Sequence, residues 1–111
     1  MDTTDFETFL KIDMRVGRIQ RAEAFEKARK PAIKVWIDFG PDLGVKQSSA
    51  QITENYTVES LLDKQVIAVV NFPSKRIASF KSEVLVLGVL GKNGIVLLTP
   101  DEEAKLGTRV Y

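Results

Sequence analysis

Apolar and polar residues alternate over several short stretches of the chain, as they do in β-strands that bury one face. The clearest stretch is residues 33–39, where Ile33, Val35 and Ile37 alternate with Lys34, Trp36 and Asp38. The pattern predicts six strands, at residues 14–25, 33–39, 45–52, 65–71, 82–90 and 95–99.

Local signals refine these strands. Gly17 interrupts the alternation of the first strand, which predicts a β-bulge or a sharp bend there. The unbroken apolar run 66–70 is typical of a central strand that is buried on both faces. Residues 71–76 break the pattern and are predicted to form a loop, whereas Asn93-Gly94 predicts a tight hairpin between the last two strands.

Two segments have helical character. Apolar residues spaced by three and four between Phe6 and Ile12 predict one or two helical turns, and Thr57 is a candidate N-cap for a short helix within residues 53–63. Strands with one helix between the third and fourth predict an all-β fold, the five-stranded oligonucleotide/oligosaccharide-binding (OB) barrel. An SH3-like barrel is the alternative. Residues 1–111 are expected to form one domain with its core at about 10–100.

Composition excludes several functions. The 111 residues include no histidine and no cysteine, and their net charge is +1. Imidazole triads, thiolate nucleophiles and Cys/His zinc sites are therefore excluded, and no carboxylate pair has acid–base spacing. We expect no catalysis, no metal and no cofactor. The acidic N-terminus does not resemble a secretory signal, and the longest apolar run, 84–90, is far shorter than a membrane span; a cytoplasmic location without membrane insertion is expected.

Charge is unevenly distributed despite this balance. Residues 11–34 contain eight basic residues and three acidic ones, and residues 72–82 add Lys75, Arg76 and Lys81 without any acid. If both segments lie on one face of the barrel, they form a basic track suited to phosphates. A solvated surface of ordinary polar strand positions is the alternative.

The segment Asp13-Met14-Arg15-Val16-Gly17-Arg18-Ile19, followed by Tyr56 and by Asn71-Phe72, resembles the tRNA-binding domain family. Residues 46–53 and 82–88 further resemble an export-related chaperone branch of that family. The resemblance implies an OB-fold homodimer that binds rather than catalyses. It implies a chaperone for unfolded or pre-secretory polypeptides. A protein that binds tRNA or another structured RNA, and a dimeric assembly module, are the alternatives.

Candidate RNA contacts come both from the charge distribution and from the family resemblance. Ser82 opens the segment that the family associates with RNA contact, and Lys30 matches a family lysine in the loop after the first strand. Ser48 has a hydroxyl that suits a sugar or phosphate, or it is simply a polar strand residue. The complete predicted set is Lys30, Lys34, Ser48, Lys75, Arg76, Ser82 and Leu85.

Aromatic and apolar residues flank the basic loop. Phe72, Pro73, Ile77 and Phe80 are predicted to form a groove for an extended, unfolded polypeptide. The same rings would serve equally well to stack bases. Phe39 follows the apolar alternation and is predicted to belong to the core. Glu83 is expected to anchor the barrel by hydrogen bonding.

A dimer interface is predicted from apolar residues that a barrel this small would leave uncovered. Trp36 alternates with polar positions, so it is either half-exposed or covered by a partner subunit. The tail after Pro100 is expected to pair with the partner's sheet edge. The predicted interface comprises Phe6, Phe9, Leu10, Trp36, Val110 and Tyr111.

Overall fold

The computed structural model describes residues 1–111 and shows two short helices among nine strands. The helices are α1 (Phe6–Leu10) and α2 (Val58–Leu61). The strands are β1 (Met14–Ala24), β2 (Ile33–Asp38), β3 (Val45–Ala50), β4 (Gln65–Val69), β5 (Lys75–Ile77), β6 (Phe80–Ser82), β7 (Leu85–Val86), β8 (Gly88–Gly91) and β9 (Gly94–Leu97).

Five strands form one antiparallel sheet in the order β3-β2-β1-β4-β7. The sheet curls until β3 lies beside the segment that leads into β7, which produces a nearly closed barrel with α2 between β3 and β4. This arrangement confirms the predicted all-β, five-stranded OB fold. Two separate hairpins, β5–β6 and β8–β9, extend from the barrel.

The first strand bends at a different place from the one predicted. The register with β2 shifts between Ile19 and Arg21, so the bulge lies at Gln20 and not at Gly17. Gly17 serves another purpose, because a Cβ built there would lie 2.4 Å from Ile37 Cγ2 and 2.8 Å from the Phe39 ring. A glycine is needed at this position because the core approaches the backbone too closely for any side chain.

The main core lies inside the barrel and is formed by alternate residues of its strands. Phe39 is 1% exposed, which confirms its assignment to the core. Leu61 of α2 is completely buried over one end of the barrel. The predicted N-cap is confirmed: Thr57 Oγ1 accepts a hydrogen bond from Ser60 N–H, and the Ser60 hydroxyl accepts one from Thr57 N–H.

Two predictions between residues 71 and 90 are wrong in detail. Lys75–Ile77 is a strand paired with Phe80–Ser82, not a loop, and Ala78 takes a left-handed φ of 54° in the turn. The predicted strand 82–90 is broken because its partner changes along its length: β7 pairs with β4, whereas β8 pairs with β9. The hairpin across Gly91 to Gly94 is present as predicted.

The C-terminal tail lies on the barrel of its own chain. Gly107 N–H donates to Val16 O, Val16 N–H donates to Thr108 O, and Val110 N–H donates to Met14 O. The expectation that this tail pairs with a partner's sheet edge is therefore corrected, because β1 of the same chain occupies its hydrogen-bonding groups. None of the helices has the length and apolar character needed to cross a membrane.

Candidate binding groove

A cleft of about 610 Å³ lies between the loop after β1 and the β5–β6 hairpin. Five cationic side chains line it and no carboxylate does; we call it the basic cleft. Two of its small lining residues, Ala28 and Ala32, leave room for a ligand between the cations. The cations are Lys27, Arg29, Lys30, Lys75 and Arg76. Because all five are exposed, they present positive charge to an incoming ligand.

A second cleft of about 310 Å³ lies on the other side of β5. Its apolar lining comes from Phe72, Pro73, Ile77, Val84 and Leu85, and we call it the apolar cleft. Phe72 and Leu85 remain 44% and 48% exposed, so apolar surface is available to a ligand at its rim. The predicted polypeptide contacts at 72, 73 and 77 therefore lie together.

The two clefts form one continuous groove. Ser49, Gln51, Lys75 and Ile77 line both of them. The shared residues come from β3 and the segment just after it on one side, and from β5 on the other. Cationic and apolar surfaces thus adjoin along the end of β3, and a single extended ligand can contact both.

The β5–β6 hairpin, which forms one wall of the groove, is anchored by Phe80. The Phe80 ring is 8% exposed and packs edge-on against Phe25 at 5.4 Å and Trp36 at 6.0 Å between ring centroids. Lys34 Nζ lies 4.7 Å from the Phe25 ring centroid and 5.1 Å from that of Phe80. Both Phe80 and Lys34 were predicted as ligand contacts. The structure places Phe80 beneath the groove and sets Lys34 against the rings that hold the hairpin.

The predicted contacts Ser48 and Ser82 lie where β3 meets residues 82–84 and closes the barrel. Ser48 is 1% exposed and its hydroxyl donates to Val84 O at 2.9 Å, while Ser82 Oγ accepts from Ser49 N–H at 3.1 Å. Gln47 and Glu83 complete this closure: Glu83 N–H donates to Gln47 O at 2.8 Å, and Gln47 N–H donates to Glu83 Oε1 at 3.1 Å. These contacts confirm the anchoring role predicted for Glu83. They leave Ser48 no access to a ligand.

The arginines of β1 do not contribute to a basic track. Arg18 is paired with Glu103 and Arg21 with Glu23, while Arg15 Nε lies 2.7 Å from Asp13 Oδ1. Hydrogen bonding from Arg15 holds the pKa of the Asp13 carboxyl below its usual value, and the charge of Arg15 acts in the same direction. The unpaired cations of the loop after β1 and of β5 therefore meet at the end of the barrel that carries the groove.

Arg15 and its partners hold the C-terminal tail, and we call this group the tail clamp. Arg15 NH1 donates to Gly107 O at 3.0 Å, and Arg109 Nε lies 3.5 Å from Asp13 Oδ1. The tail clamp therefore consists of Asp13, Arg15, Gly107 and Arg109. The residues that carry the family resemblance at the start of β1 thus serve the fold.

The predicted interface residues fall into two places. The end of α1 lies beside the tail, since Arg109 Nη2 donates to Leu10 O at 2.6 Å, whereas Trp36 packs against Phe80 and Arg21. Phe6, Leu10 and Tyr111 are 65%, 43% and 99% exposed, and Phe9 packs against Phe6 with ring centroids 6.0 Å apart. Val110 is half-buried on β1. Trp36 is covered within its own chain, since the Arg21 guanidinium carbon lies 4.3 Å from the centroid of its ring.

Several residues that line the groove are absent from the predicted contact sets, among them Lys27, Arg29 and Gln51. Lys27 and Arg29 belong to the basic stretch of the sequence, but nothing local distinguishes them from solvated surface lysines and arginines. Gln51 lines both clefts, and in the sequence it is only one of several polar residues within the predicted strand 45–52. The structure contains no group of three or more Asp or Glu side chains that could hold a metal ion.

Comparison with known proteins defines the class of this fold and groove. The family model described as "Putative tRNA binding domain" matches residues 14–109, so the chain belongs to the tRNA-binding domain family. A methionine–tRNA ligase from Pyrococcus horikoshii is 36% identical over 110 residues, which cover 99% of this chain and 15% of that protein. The chain spans about 15% of the length of the curated relatives it matches.

Within that family, two solved structures match the chain over nearly its full length. The chaperone CsaA from Bacillus anthracis is 53% identical, with a TM-score of 0.92, and the match covers 99% of this chain and 100% of the other. The CsaA chaperone protein from Picrophilus torridus is 50% identical, with a TM-score of 0.93, and the match covers 98% and 100%. The chain is thus similar to CsaA chaperones in both sequence and fold.

Proposed function

We propose that this protein is a chaperone of the CsaA type that holds unfolded or pre-secretory polypeptides in the cytoplasm. The observation that carries the proposal is the continuity of the apolar cleft with the basic cleft along β3. An unfolded segment offers apolar side chains and charged side chains close together, and this groove offers a surface for each. The similarity to two CsaA structures supports the same assignment.

The two clefts contribute unequally to the free energy of binding. Burying one leucine or phenylalanine side chain of the polypeptide in the apolar cleft stabilises the complex by about 1.5–3 kcal/mol. A carboxylate that pairs with an exposed lysine or arginine of the basic cleft contributes about 0–1 kcal/mol. The apolar cleft therefore sets the affinity, whereas the cations select segments and accelerate their encounter. Holding of this kind is passive and requires no nucleotide.

Binding of tRNA is a second candidate function. The observation that favours it is the convergence of five cations without a carboxylate in the basic cleft. Phosphates would bind there, and the exposed ring of Phe72 would be available for base stacking. Membership of the tRNA-binding domain family supports this candidate.

A competition experiment tests both functions. Fluorescent bulk tRNA is titrated with the protein at physiological salt, and the complex is then challenged with reduced, carboxymethylated α-lactalbumin as the unfolded polypeptide. Displacement of the tRNA is expected, because both ligands need Lys75 and its neighbours. Direct titration of the labelled polypeptide gives its affinity separately. An absence of polypeptide binding contradicts the chaperone proposal.

Two double variants separate the functions. Phe72→Ser with Leu85→Ser removes the exposed apolar rim and is expected to weaken polypeptide binding about tenfold or more, with a smaller effect on tRNA. Lys27→Ala with Arg29→Ala removes two cations and is expected to weaken tRNA binding more than polypeptide binding. Equal loss of both ligands in both variants would contradict the division of the groove.

We further propose that the protein forms a homodimer through α1, because Phe6 and Leu10 remain exposed on that helix. Phe6→Ser with Leu10→Ser is expected to produce monomers in sedimentation velocity, as is deletion of residues 1–10. Leu90→Ser is the matched control, since Leu90 is 81% exposed on the β8–β9 hairpin. A dimer that survives the α1 changes, or one that is lost in the control, contradicts this interface.

A further inference from the structure

The outer edge of β3 is closed over only part of its length. Gln47 and Ser49 direct their N–H groups away from β2, to Glu83 Oε1 and Ser82 Oγ, both at 3.1 Å. Because backbone groups alternate in direction along a strand, Gln51 is the next residue to face outward. Neither the N–H nor the C=O of Gln51 has a hydrogen-bond partner within the chain.

This open stretch of backbone lies at the floor of the groove. Ser49 and Gln51 line both clefts, and beyond the bond from Ser49 N–H to Ser82 Oγ the outer edge has no backbone partner. Unpaired strand edges recruit further strands because each added residue finds backbone donors and acceptors already aligned. The edge is therefore a template for an extended chain. A nucleic acid, which has no alternating N–H and C=O groups, cannot use it in this way.

We propose that an extended polypeptide segment adds to the outer edge of β3 as a further strand, through the C=O of Ser49 and the N–H and C=O of Gln51, with acidic side chains in the basic cleft and apolar side chains in the apolar cleft. This inference rests on the proposed chaperone function and specifies its ligand class. Charge complementarity selects the acidic half, since the basic cleft has five cations and no carboxylate. Backbone pairing supplies affinity that is independent of sequence, as in other strand-addition complexes.

The segment must have a defined pattern. In a strand, alternate side chains point to the same face and lie about 7 Å apart. Two acidic residues followed by two apolar residues, each separated by a neutral residue, would therefore face the groove together over about 20 Å. The acetylated and amidated heptapeptide Asp-Thr-Asp-Thr-Leu-Thr-Leu has this pattern and serves as the probe.

A scan of the peptide backbone tests the proposal without altering the protein. The fluorescent heptapeptide is prepared with a single N-methyl group at each position in turn, and its affinity is measured by anisotropy. Strand addition pairs peptide N–H groups two residues apart with the C=O groups of Ser49 and Gln51, so methylation is expected to weaken binding about tenfold at two such positions and less than twofold elsewhere. The version with lysine in place of aspartate is expected to bind more weakly than the parent.

A matched pair of protein variants tests the protein's own backbone groups in the same hydrogen bonds. Gln51→Pro removes the N–H that faces the groove, whereas Gln51→Ala removes the side chain and keeps the N–H. The proline variant is expected to bind the heptapeptide about tenfold more weakly than the alanine variant does, because both lack the glutamine side chain and only the alanine variant keeps the N–H. Thermal unfolding of both variants verifies that they fold.

The outcomes distinguish a failure of strand addition from a failure of the proposed chaperone function. A periodic N-methyl effect supports strand addition. If the parent heptapeptide binds without a periodic N-methyl effect, strand addition is overturned and the chaperone function is retained. The same holds if the unfolded protein binds and the heptapeptide does not. Binding of tRNA with no binding of either polypeptide overturns both.

Discussion

The start of β1 and the loop that follows its end both carry several cationic residues, but they use them in opposite ways. At the start, Arg15 and Arg18 are paired with Asp13 and Glu103, and Arg15 also holds the tail through Gly107 O. Beyond the other end, Lys27, Arg29 and Lys30 take part in no salt bridge and face the basic cleft. The first group holds the fold together, and the second is available to a ligand.

This difference shows that a count of charges along the sequence does not measure electrostatic potential at the surface. The basic excess between residues 11 and 34 is a single feature of the sequence. In the folded chain, acidic residues that are local or up to 85 positions away neutralise its arginines on β1. The unpaired cations Lys27, Arg29 and Lys30 of this stretch gather where the loop after β1 meets β5. Four experiments test this difference between the two groups of cations.

The largest effect is expected from Gly17→Ala, on the side that holds the fold together. The new Cβ would overlap Ile37 and Phe39 in a fully packed core, so the free energy of unfolding should fall by about 3 kcal/mol. Urea unfolding followed by tryptophan fluorescence measures this. Gly44→Ala is the control for loss of a glycine, because nothing lies within 4 Å of its Cβ position, although its φ of 72° adds some strain. Equal losses in both variants would contradict the close approach at Gly17.

The next largest effect is expected from the triple variant Lys30→Ala, Lys75→Ala and Arg76→Ala in the basic cleft. Loss of three phosphate contacts should weaken tRNA binding about a hundredfold at physiological salt. The slope of log affinity against log salt should become shallower by about 0.7–0.9 per contact. Unfolding free energy should be nearly unchanged.

The matched control for that triple variant changes net charge equally outside the groove. Lys11, Lys64 and Lys92 are exposed and line neither cleft. Their joint replacement by alanine should weaken tRNA binding far less than the triple variant in the cleft does. Similar losses in both would mean that overall charge, and not the cleft, determines binding.

A smaller effect is expected from Arg15→Met in the tail clamp. Methionine keeps much of the apolar stem but removes the bonds to Asp13 and Gly107, which should lower the free energy of unfolding by about 2 kcal/mol. Binding of tRNA and of polypeptide should be unaffected, since Arg15 does not line the groove. Equilibrium unfolding and the tRNA titration together check this, and a selective loss of binding would contradict the structural role.

Much of the barrel could be predicted from the sequence because residues 33–39 alternate regularly and residues 66–70 form an unbroken apolar run. The β5–β6 hairpin could not, since three-residue strands containing Lys75 and Arg76 have no detectable period. Likewise, no local pattern records that residues 47–49 meet residues 81–84, because side chains make most of those contacts. The predicted strand 82–90 failed for the related reason that its pairing partner changes.

The groove was predictable in part. Lys30, Lys75 and Arg76 were expected to act together, and the structure brings them to one cleft. Phe72 and Phe80 flank the same basic segment in the sequence, yet one is exposed and the other is buried. Phe80 follows the turn at Ala78, whose left-handed φ of 54° has no clear signal in the sequence, and its ring packs against Phe25 and Trp36. Phe72 lies before β5, outside that hairpin.

The smallest effect concerns acid stability. The pKa of Asp13 is lowered in the folded chain, principally by its hydrogen bond from Arg15. A lowered pKa means that the folded state binds the proton less readily, so the contribution of Asp13 is complete above its ordinary pKa of 3.8 and is lost as pH falls below that value. Asp13→Asn should remove this pH dependence, which amounts to about 1 kcal/mol or less of the free energy of unfolding. Unfolding measured between pH 5 and pH 2.5 checks this, and parallel curves for the two proteins would contradict the assignment.

The line along which β3 meets residues 81–84 has a consequence for motion. Only one of its bonds, Glu83 N–H to Gln47 O, joins backbone to backbone, while the others use the side chains of Gln47, Ser48, Ser82 and Glu83. The hydrogen bonds between β3 and residues 81–84 can therefore break while every strand pair of the sheet stays intact. Amide protons of Gln47 and Ser49 should exchange with deuterium well before that of Val35, and each such opening would widen the floor of the groove for a bulkier side chain.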